Sequence, residues 1–260
     1  VKLFNVQSKQ QMFDVVIQTS HKKEFLSLFC KRSFDISLDK AMYIVQQEFL
    51  GMTFAKLSEA VENIEYSDCY SPIESAIIVK QWLLEQGLDM GKFITDIIDI
   101  IDRNNAKINT MYLHGESNAG KTYIVRSLMK LCKYFGEINQ GTAGYQFMYA
   151  DCVNKRIITI NEPYFDPAMV EQLKIVLEGR GTFVHVKNKK DDWLQPTPVF
   201  ITCNTHVWRY ARQEETAIRN RSVVYENLRA APFLAKCTKD LHPYVWMYML
   251  LALSVSEEVT

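Results

Sequence analysis

The stretch MYLHGESNAGKT, residues 111–122, decides the fold. MYLHG (111–115) reads as a short buried strand, and GESNAGKT (115–122) fits G-x-x-x-x-G-K-[ST] at every fixed position. The residue types follow from the chemistry of a polyphosphate. Gly115 and Gly120 let the backbone wrap the anion, so that successive N–H groups across Glu116, Ser117, Asn118 and Ala119 turn inward. The helix that follows presents its positive end to the same charge. Lys121 would reach the β- and γ-phosphates, and the Thr122 hydroxyl would ligate Mg2+. Strand, loop and helix in this order predict a nucleoside triphosphate site, with ATP and Mg2+ as its expected ligands.

On the N-terminal side the chain reads as helices. HKKEFLSLFCKR (21–32), SLDKAMYIVQQEFLG (37–51) and TFAKLSEAVENIE (53–65) repeat apolar residues at three- and four-residue spacing, with Ser37 and Thr53 as expected N-caps and Gly51 as a stop. SPIE (71–74) is a capping box with Pro72 in the first helical position; its helix would run to Gln86 and end at Gly87. A further helix over 92–102 precedes the polar break RNNAKIN (103–109). On the C-terminal side the helix after the loop is expected to reach Phe135, with Gly136 stopping it. RIITINE (156–162), TFVHV (182–186) and PVFITCN (198–204) read as strands, and Asp166-Pro167 as the cap and first position of the helix MVEQLKIVLEG. Strands alternating with helices predict an α/β fold with a mainly parallel sheet. The expected organisation is a helical domain over 1–90 and a phosphate-loop ATPase domain over 91–260.

Three strand ends and one turn supply candidate chemistry. RIITINE closes on Asn161 and Glu162. In phosphate-loop ATPases a strand beside the loop carries carboxylates at its end, one helping to hold Mg2+ and one orienting or activating the attacking water. Here only Glu162 can be charged, so it is the candidate both for helping Thr122 hold Mg2+ and for acting on the attacking water; the plain alternative is a solvated glutamate at a strand end. Asn204, closing PVFITCN, would bond the γ-phosphate and the water, although asparagine often ends strands without any such duty. IRNRS (218–222) offers Arg219 and Arg221, of the type preferred for charge on a transferring phosphoryl; an arginine pair alone is usually a solvated face. The basic tip Lys187, Asn188, Lys189, Lys190 is too charged for a core and by itself reads as a solvated turn.

Bulk properties set the frame. The chain has 260 residues, 48% hydrophobic and 23% charged, the composition of an ordered protein with a sizeable core. Formal net charge is zero, so any nucleic-acid binding must come from local patches. The six cysteines show no C-x-x-C pair and no zinc-like spacing, and read as buried free thiols in a reducing compartment. The apolar stretch 244–254 is too short to span a bilayer, so no membrane partner is expected. The chain begins at Val1 with no signal peptide and reads as a piece of a longer soluble intracellular protein.

The order and spacing of GESNAGKT, IITINE, VKNKKDD, QPTPVFITCN and IRNRS resemble the superfamily 3 helicase domain of parvoviral large nonstructural, or Rep, replication proteins. The resemblance runs from about Trp82 to about Tyr225. It implies an AAA+-like, hexameric DNA helicase that moves 3′→5′ on single-stranded or forked DNA in the host nucleus, with a nickase domain preceding this region. It makes GESNAGKT the Walker A motif, Asn161-Glu162 the Walker B, Asn204 the sensor, Lys187 and Lys189 the DNA-gripping lysines and Arg221 the arginine finger, with Arg219 competing. The N-terminal helices match the family's oligomerisation bundle by position and helical character alone. Asn161 departs from the acidic residue usual there, which bears on Mg2+ binding, and the divergence elsewhere points to a virus of invertebrates. Two other readings stay open: a small-molecule kinase with the same loop, and a non-catalytic oligomeric ATP switch, for which the neutral Asn161 speaks.

Overall fold

The strand that leads into the glycine loop, β1 (Thr110–Gly115), lies inside a five-stranded sheet. In sheet order the strands are β2 (Phe135–Glu137), β3 (Ile157–Asn161), β6 (Val199–Cys203), β1 and β7 (Ser222–Leu228), and every pairing is parallel. In this computed structural model the described residues are 8–17, 22–64, 66–138, 145–163, 169–187 and 190–257. Every residue of β6, and all of β1 but His114, is buried, as expected of parallel strands covered by helices on both faces. The register pairs Asn161 with Thr202 and His114 with Cys203, so the C-terminal ends of β3, β6 and β1 finish side by side.

The chain divides into two compact units, Val1–Gly51 and Met52–Thr260. In the first, α1 (Lys9–Ile17), α2 (Lys22–Phe29) and α3 (Phe34–Leu50) bury Val16, Leu38 and Val45, and Lys9 bridges Asp35 and Asp39 at 3.2 Å each. Helix α3 begins one turn before the expected cap: Ser33, not Ser37, precedes it, and its side chain makes no capping bond.

The second unit holds the sheet with α4 (Phe54–Glu62), α5 (Pro72–Gln86), α6 (Met90–Asp102), α7 (Lys121–Cys132), α8 (Val170–Leu177), α9 (Glu215–Arg219) and α10 (Val245–Glu257). Thr53 caps α4, the capping box at Ser71 and Glu74 is formed, and Gly87 closes α5 in the left-handed region at φ 67°. The boundary expected near residue 90 therefore does not coincide with the division of the structure. The reason is packing. Helix α5 buries Trp82 fully, and Phe93 of α6 joins Trp82, Tyr225 and Trp246 at centroid distances of 5.6, 4.9 and 6.0 Å. Among the described residues no helix is long and apolar enough to cross a membrane.

Several short strands escape the sequence periodicity. Helix α7 stops at Cys132 because Lys133 turns to φ 62°, and Phe135–Glu137 then forms the edge strand β2 where a helix end was expected. Strand β7 was not anticipated at all; its exposure pattern is mixed, as befits the other edge. TFVHV pairs as β4 (Thr182–Val184) with β5 (Asp192–Leu194) in an antiparallel hairpin, not with PVFITCN, which is the central strand β6. Asp166-Pro167 lies outside the described residues.

At the end of β1 the ladder to β7 shifts register between Leu113 and Gly115, and the Glu116 N–H donates to the Leu228 carbonyl at 2.8 Å. A Cβ on residue 115 would meet the Leu228 oxygen at 2.2 Å and its nitrogen at 2.5 Å. Gly115→Ala should therefore push two paired strands apart, at a cost of about 1–3 kcal/mol. The expected outcome is a thermal midpoint lower by several degrees, on the order of 2–4 °C per kcal/mol, measured by differential scanning calorimetry. An unchanged midpoint would contradict the close approach of β1 and β7.

Candidate nucleotide-binding site

The loop after β1 folds back over the N-terminus of α7. Gly120 stands at φ 82°, a backbone setting that favours glycine, and a Cβ there would also displace Leu234 Cδ1, which lies 2.3 Å from that position. The Trp82 indole donates from Nε1 to the Ala119 carbonyl at 2.7 Å. That bond turns a loop carbonyl toward the protein and away from the cleft, where a second negative pole would oppose an anion. An open cleft of about 400 Å³ results, lined by residues 117–123 together with Asn161, Glu162 and Asn204.

Lys121 is 6% exposed. Its ammonium donates to the carbonyls of Gly115 at 3.0 Å and Glu116 at 2.7 Å, and to Asn204 Oδ1 at 2.8 Å. All three donors are thus in use. Burial holds its pKa below the ordinary lysine value, and nearby Glu162 opposes that shift.

Asn161, Glu162, Thr202 and Asn204 meet at the ends of β3 and β6. Thr122 Oγ1 donates to Asn161 Oδ1 at 3.2 Å, and Thr202 Oγ1 donates to the same oxygen at 2.8 Å. Glu162 turns the other way: the Asn204 N–H donates to its Oε2 at 3.0 Å. Glu162 adopts φ 48°, a strained setting for a non-glycine residue. It is held there by its own N–H, which donates to the Thr202 carbonyl at 2.8 Å. The two neighbours therefore face different partners, Asn161 the Thr122 hydroxyl and Glu162 the Asn204 amide. The oxygen set around Thr122 fits a hard cation such as Mg2+, which takes most of its ligands from phosphate and water and needs few from protein. Among the described residues no cluster of three or more His, Cys, Asp or Glu side chains offers another metal site.

A second, more apolar pocket of about 560 Å³ adjoins the loop and shares Asn118, Gly120 and Tyr123 with the cleft; Pro232, Leu234 and Ala235 form its far wall. Behind the cleft, the rings of His114 and His206 stack at 3.8 Å, and His206 stacks on Trp208 at 4.5 Å. Burial and the neighbouring His206 both depress the His114 pKa. This column braces the turn after Asn204.

Sequence reasoning missed Trp82, Thr202 and the histidine stack. Thr202 was within reach, because it stands two residues before Asn204 on one strand and so projects on the same side. Trp82 gives no sequence signal, since its partner lies 37 residues away.

The remaining candidates lie outside the cleft. Arg221 directly precedes Ser222, which pairs with Thr110 at the opposite end of the sheet. Its guanidinium holds Glu178 from Nε at 3.0 Å and Nη2 at 2.8 Å, and Nη1 donates to the Ala217 carbonyl. Arg219 pairs with Glu215 and Glu226 and stacks over Trp208. Lys187 is exposed at the tip of the β4–β5 hairpin; Lys189 falls outside the described residues.

Residues 52–242 match the family model of parvovirus non-structural protein NS1. The initiator protein NS1 of Junonia coenia densovirus is 29% identical over 160 residues, 61% of this chain and 28% of that protein. That of Bombyx mori densovirus is also 29% identical, over 61% of this chain and 17% of its own length. The matched stretch is thus well under a third of either relative. An X-ray structure of JCV helicase superposes with a TM-score of 0.55 at 14% identity, covering 91% of this chain and 70% of that one. The shared fold is AAA+-like, with a mainly parallel central sheet. On the extent of the family match, the chain belongs to the parvovirus non-structural protein NS1 family.

Proposed function

We propose that this chain is the ATP-driven motor of a viral replication initiator, a ring-forming helicase that moves 3′→5′ along DNA. The observation that carries the proposal is the convergence of Lys121, Thr122, Asn161, Glu162 and Asn204 on one cleft at the ends of three adjacent strands. On ATP binding, Lys121 would exchange its carbonyl partners for the β- and γ-phosphates. Thr122 and Asn161 would hold Mg2+, which neutralises charge as the phosphoryl group transfers. Glu162 would take a proton from the attacking water as its oxygen bonds phosphorus and the bond to the β-phosphate oxygen breaks, releasing ADP. Asn204 would orient that water, and the base would occupy the apolar pocket beside Tyr123.

A ring is supported from two directions. Arg221 is separated from its own loop by the length of β1, about 17 Å, which supports a role on a neighbour's ATP and not on its own. Ile17, Ile36, Tyr43 and Ile44 in the first unit, and Ile73, Ile77 and Leu84 along α5, are large apolar side chains left exposed for subunit contact. The hairpin tip carrying Lys187 supplies the phosphate grip; lysine suits a motor because a phosphate contact carries no sequence information. The host nucleus is the compartment this reading assigns.

Strand displacement on forked DNA tests the whole reading, and Glu162→Gln is the informative variant. It should bind ATP nearly normally while hydrolysis and unwinding both fall, by about 10²-fold or more. Equal turnover by wild type and Glu162→Gln would remove Glu162 from the chemistry. A second measurement concerns Arg221. Arg221→Ala should bind ATP yet lose about 10³-fold in turnover, and mixing it with Lys121→Ala should restore part of the activity, because one kind of interface is then complete. Absence of rescue in demonstrably mixed rings would count against action in trans. Asn161→Asp places a charge beside the Thr122 hydroxyl. The Mg2+ concentration for half-maximal ATPase activity should fall; a rise would mean that Asn161 does not face the metal.

A further inference from the structure

The β4–β5 hairpin carries more than a basic tip. Its inner face is buried: Val184 and Leu194 are 2% and 1% exposed. On the outer face Phe183 sits directly across from Trp193, with ring centroids 4.9 Å apart at 69°. These rings are 66% and 39% exposed. Closer to the tip, His185 Nδ1 and Asp191 Oδ1 pair at 2.7 Å, and Lys187 and Lys190 follow, both exposed. The solvent side of an antiparallel pair is ordinarily polar. Yet within 52–260, among residues whose burial is described, Phe183 and Trp193 are the only exposed aromatics. They are also fixed in place. A Cβ on residue 181 would meet Trp193 Cζ2 at 2.3 Å, so glycine there lets the indole lie against the backbone. Gln172 Nε2 donates to the Phe183 carbonyl at 3.3 Å and ties the strand to α8.

We propose that Phe183 and Trp193 form a stacking platform for the bases of single-stranded DNA, beside the lysines that take its phosphates. The proposal rests on the reading of this hairpin as the DNA-gripping element. A braced pair of exposed rings next to a cluster of lysines is the two-part chemistry of single-strand sites: cations track the backbone and aromatic faces accept bases. Trp193 lies three residues from Lys190, about 10 Å along the strand, so one bound strand can meet both. A duplex hides its base faces in its own stack, so the occupant is a single strand. Stacking tolerates any sequence, because every base has a π-face, and so it suits a motor as well as the phosphate contacts do.

Tryptophan fluorescence isolates the platform. Trp82, Trp208 and Trp246 are 0%, 4% and 0% exposed, leaving Trp193 as the one tryptophan a ligand can reach. Oligo(dT) should quench this accessible emission, whereas an abasic oligonucleotide of equal length should bind with little quenching. Trp193→Ala should weaken oligo(dT) binding about tenfold or more, and Trp193→Phe should recover most of it. Trp193→Ala should leave the slope of log affinity against log salt unchanged, while Lys187→Ala should make it shallower by about 0.7. Unaltered ATP affinity in each variant controls for folding. Wild-type binding by Trp193→Ala and Phe183→Ala, alongside weakened binding by Lys187→Ala, would overturn the platform and leave the hairpin as a phosphate grip. Wild-type binding by all three would sink the DNA reading of the hairpin itself. A change in Trp193 emission on nucleotide-driven assembly, with none on adding oligo(dT), would make the pair a subunit contact and overturn the platform.

Discussion

The contact between the Lys121 ammonium and Asn204 Oδ1, at 2.8 Å, ties together parts of the chain 83 residues apart. One partner opens α7 and the other follows β6. The contact requires β1 and β6 to end level, and their parallel register from Thr110↔Val199 to His114↔Cys203 provides that. It also requires β3 to sit on the far side of β6, so that Asn161 and Thr202 end opposite each other and Glu162 can accept from the Asn204 N–H. The strand order is therefore a condition for these contacts: exchanging β3 and β7 would carry the Asn161–Glu162 pair away from Thr202 and the Asn204 N–H. In this structure the lysine's donors are spent on protein acceptors, which prevents a buried cation from standing unpaired before phosphate arrives.

A second constraint holds the loop from the helical side. Trp82 reaches across from α5 to the Ala119 carbonyl, and its ring is locked edge-on to Phe93, which in turn meets Tyr225 and Trp246. Trp246 Nε1 donates to Ser127 Oγ on α7, the helix that the loop opens. A ring of buried aromatics thus connects the helices before the loop, the helix after it and the last helix of the chain. Gln86 and Arg229 add a reciprocal pair of bonds between the end of α5 and the residue after β7. Any shift of α5 against the sheet would move a backbone carbonyl in the loop. Among the described residues, Trp82 is the one residue of α5 that bonds the loop directly, so the loop's backbone and the seating of α5 depend on the same indole.

What could be read from the residues, and what could not, divides along the range of the interactions. The glycine loop, the capping box at Ser71 and the left-handed stop at Gly87 were legible because each is settled within a few residues. Strands β3 and β6 were legible because they are buried on both faces and read as unbroken apolar runs. Strands β2, β5 and β7 were not. Two have three residues each, too few to show a period, and β7 at the sheet edge alternates only weakly. The division into compact units after Gly51 has no local signal either: helical periodicity says that α4 and α5 are helices, not which core receives their apolar faces. In the site, Lys121, Thr122, Glu162 and Asn204 meet as their positions at strand ends suggested. The separate partners of Asn161 and Glu162 depend on a backbone turn at φ 48° that no residue type announces.

That turn also bears on why an amide can stand where a carboxylate is usual. Asn161 Oδ1 accepts from both Thr122 and Thr202, so its oxygen points into the pocket with its lone pairs ordered by two hydroxyls. A carboxylate in the same place would add a full negative charge beside the two hydroxyls. With an amide at 161, Glu162 is the only carboxylate at the end of β3. The cost would fall on a bound Mg2+, which would lose one charge from its surroundings and rely more heavily on the triphosphate. The arrangement would therefore couple Mg2+ to nucleotide more tightly than an acidic pair does: a site with a weak hold on the free ion would take it up as part of the Mg2+–ATP complex.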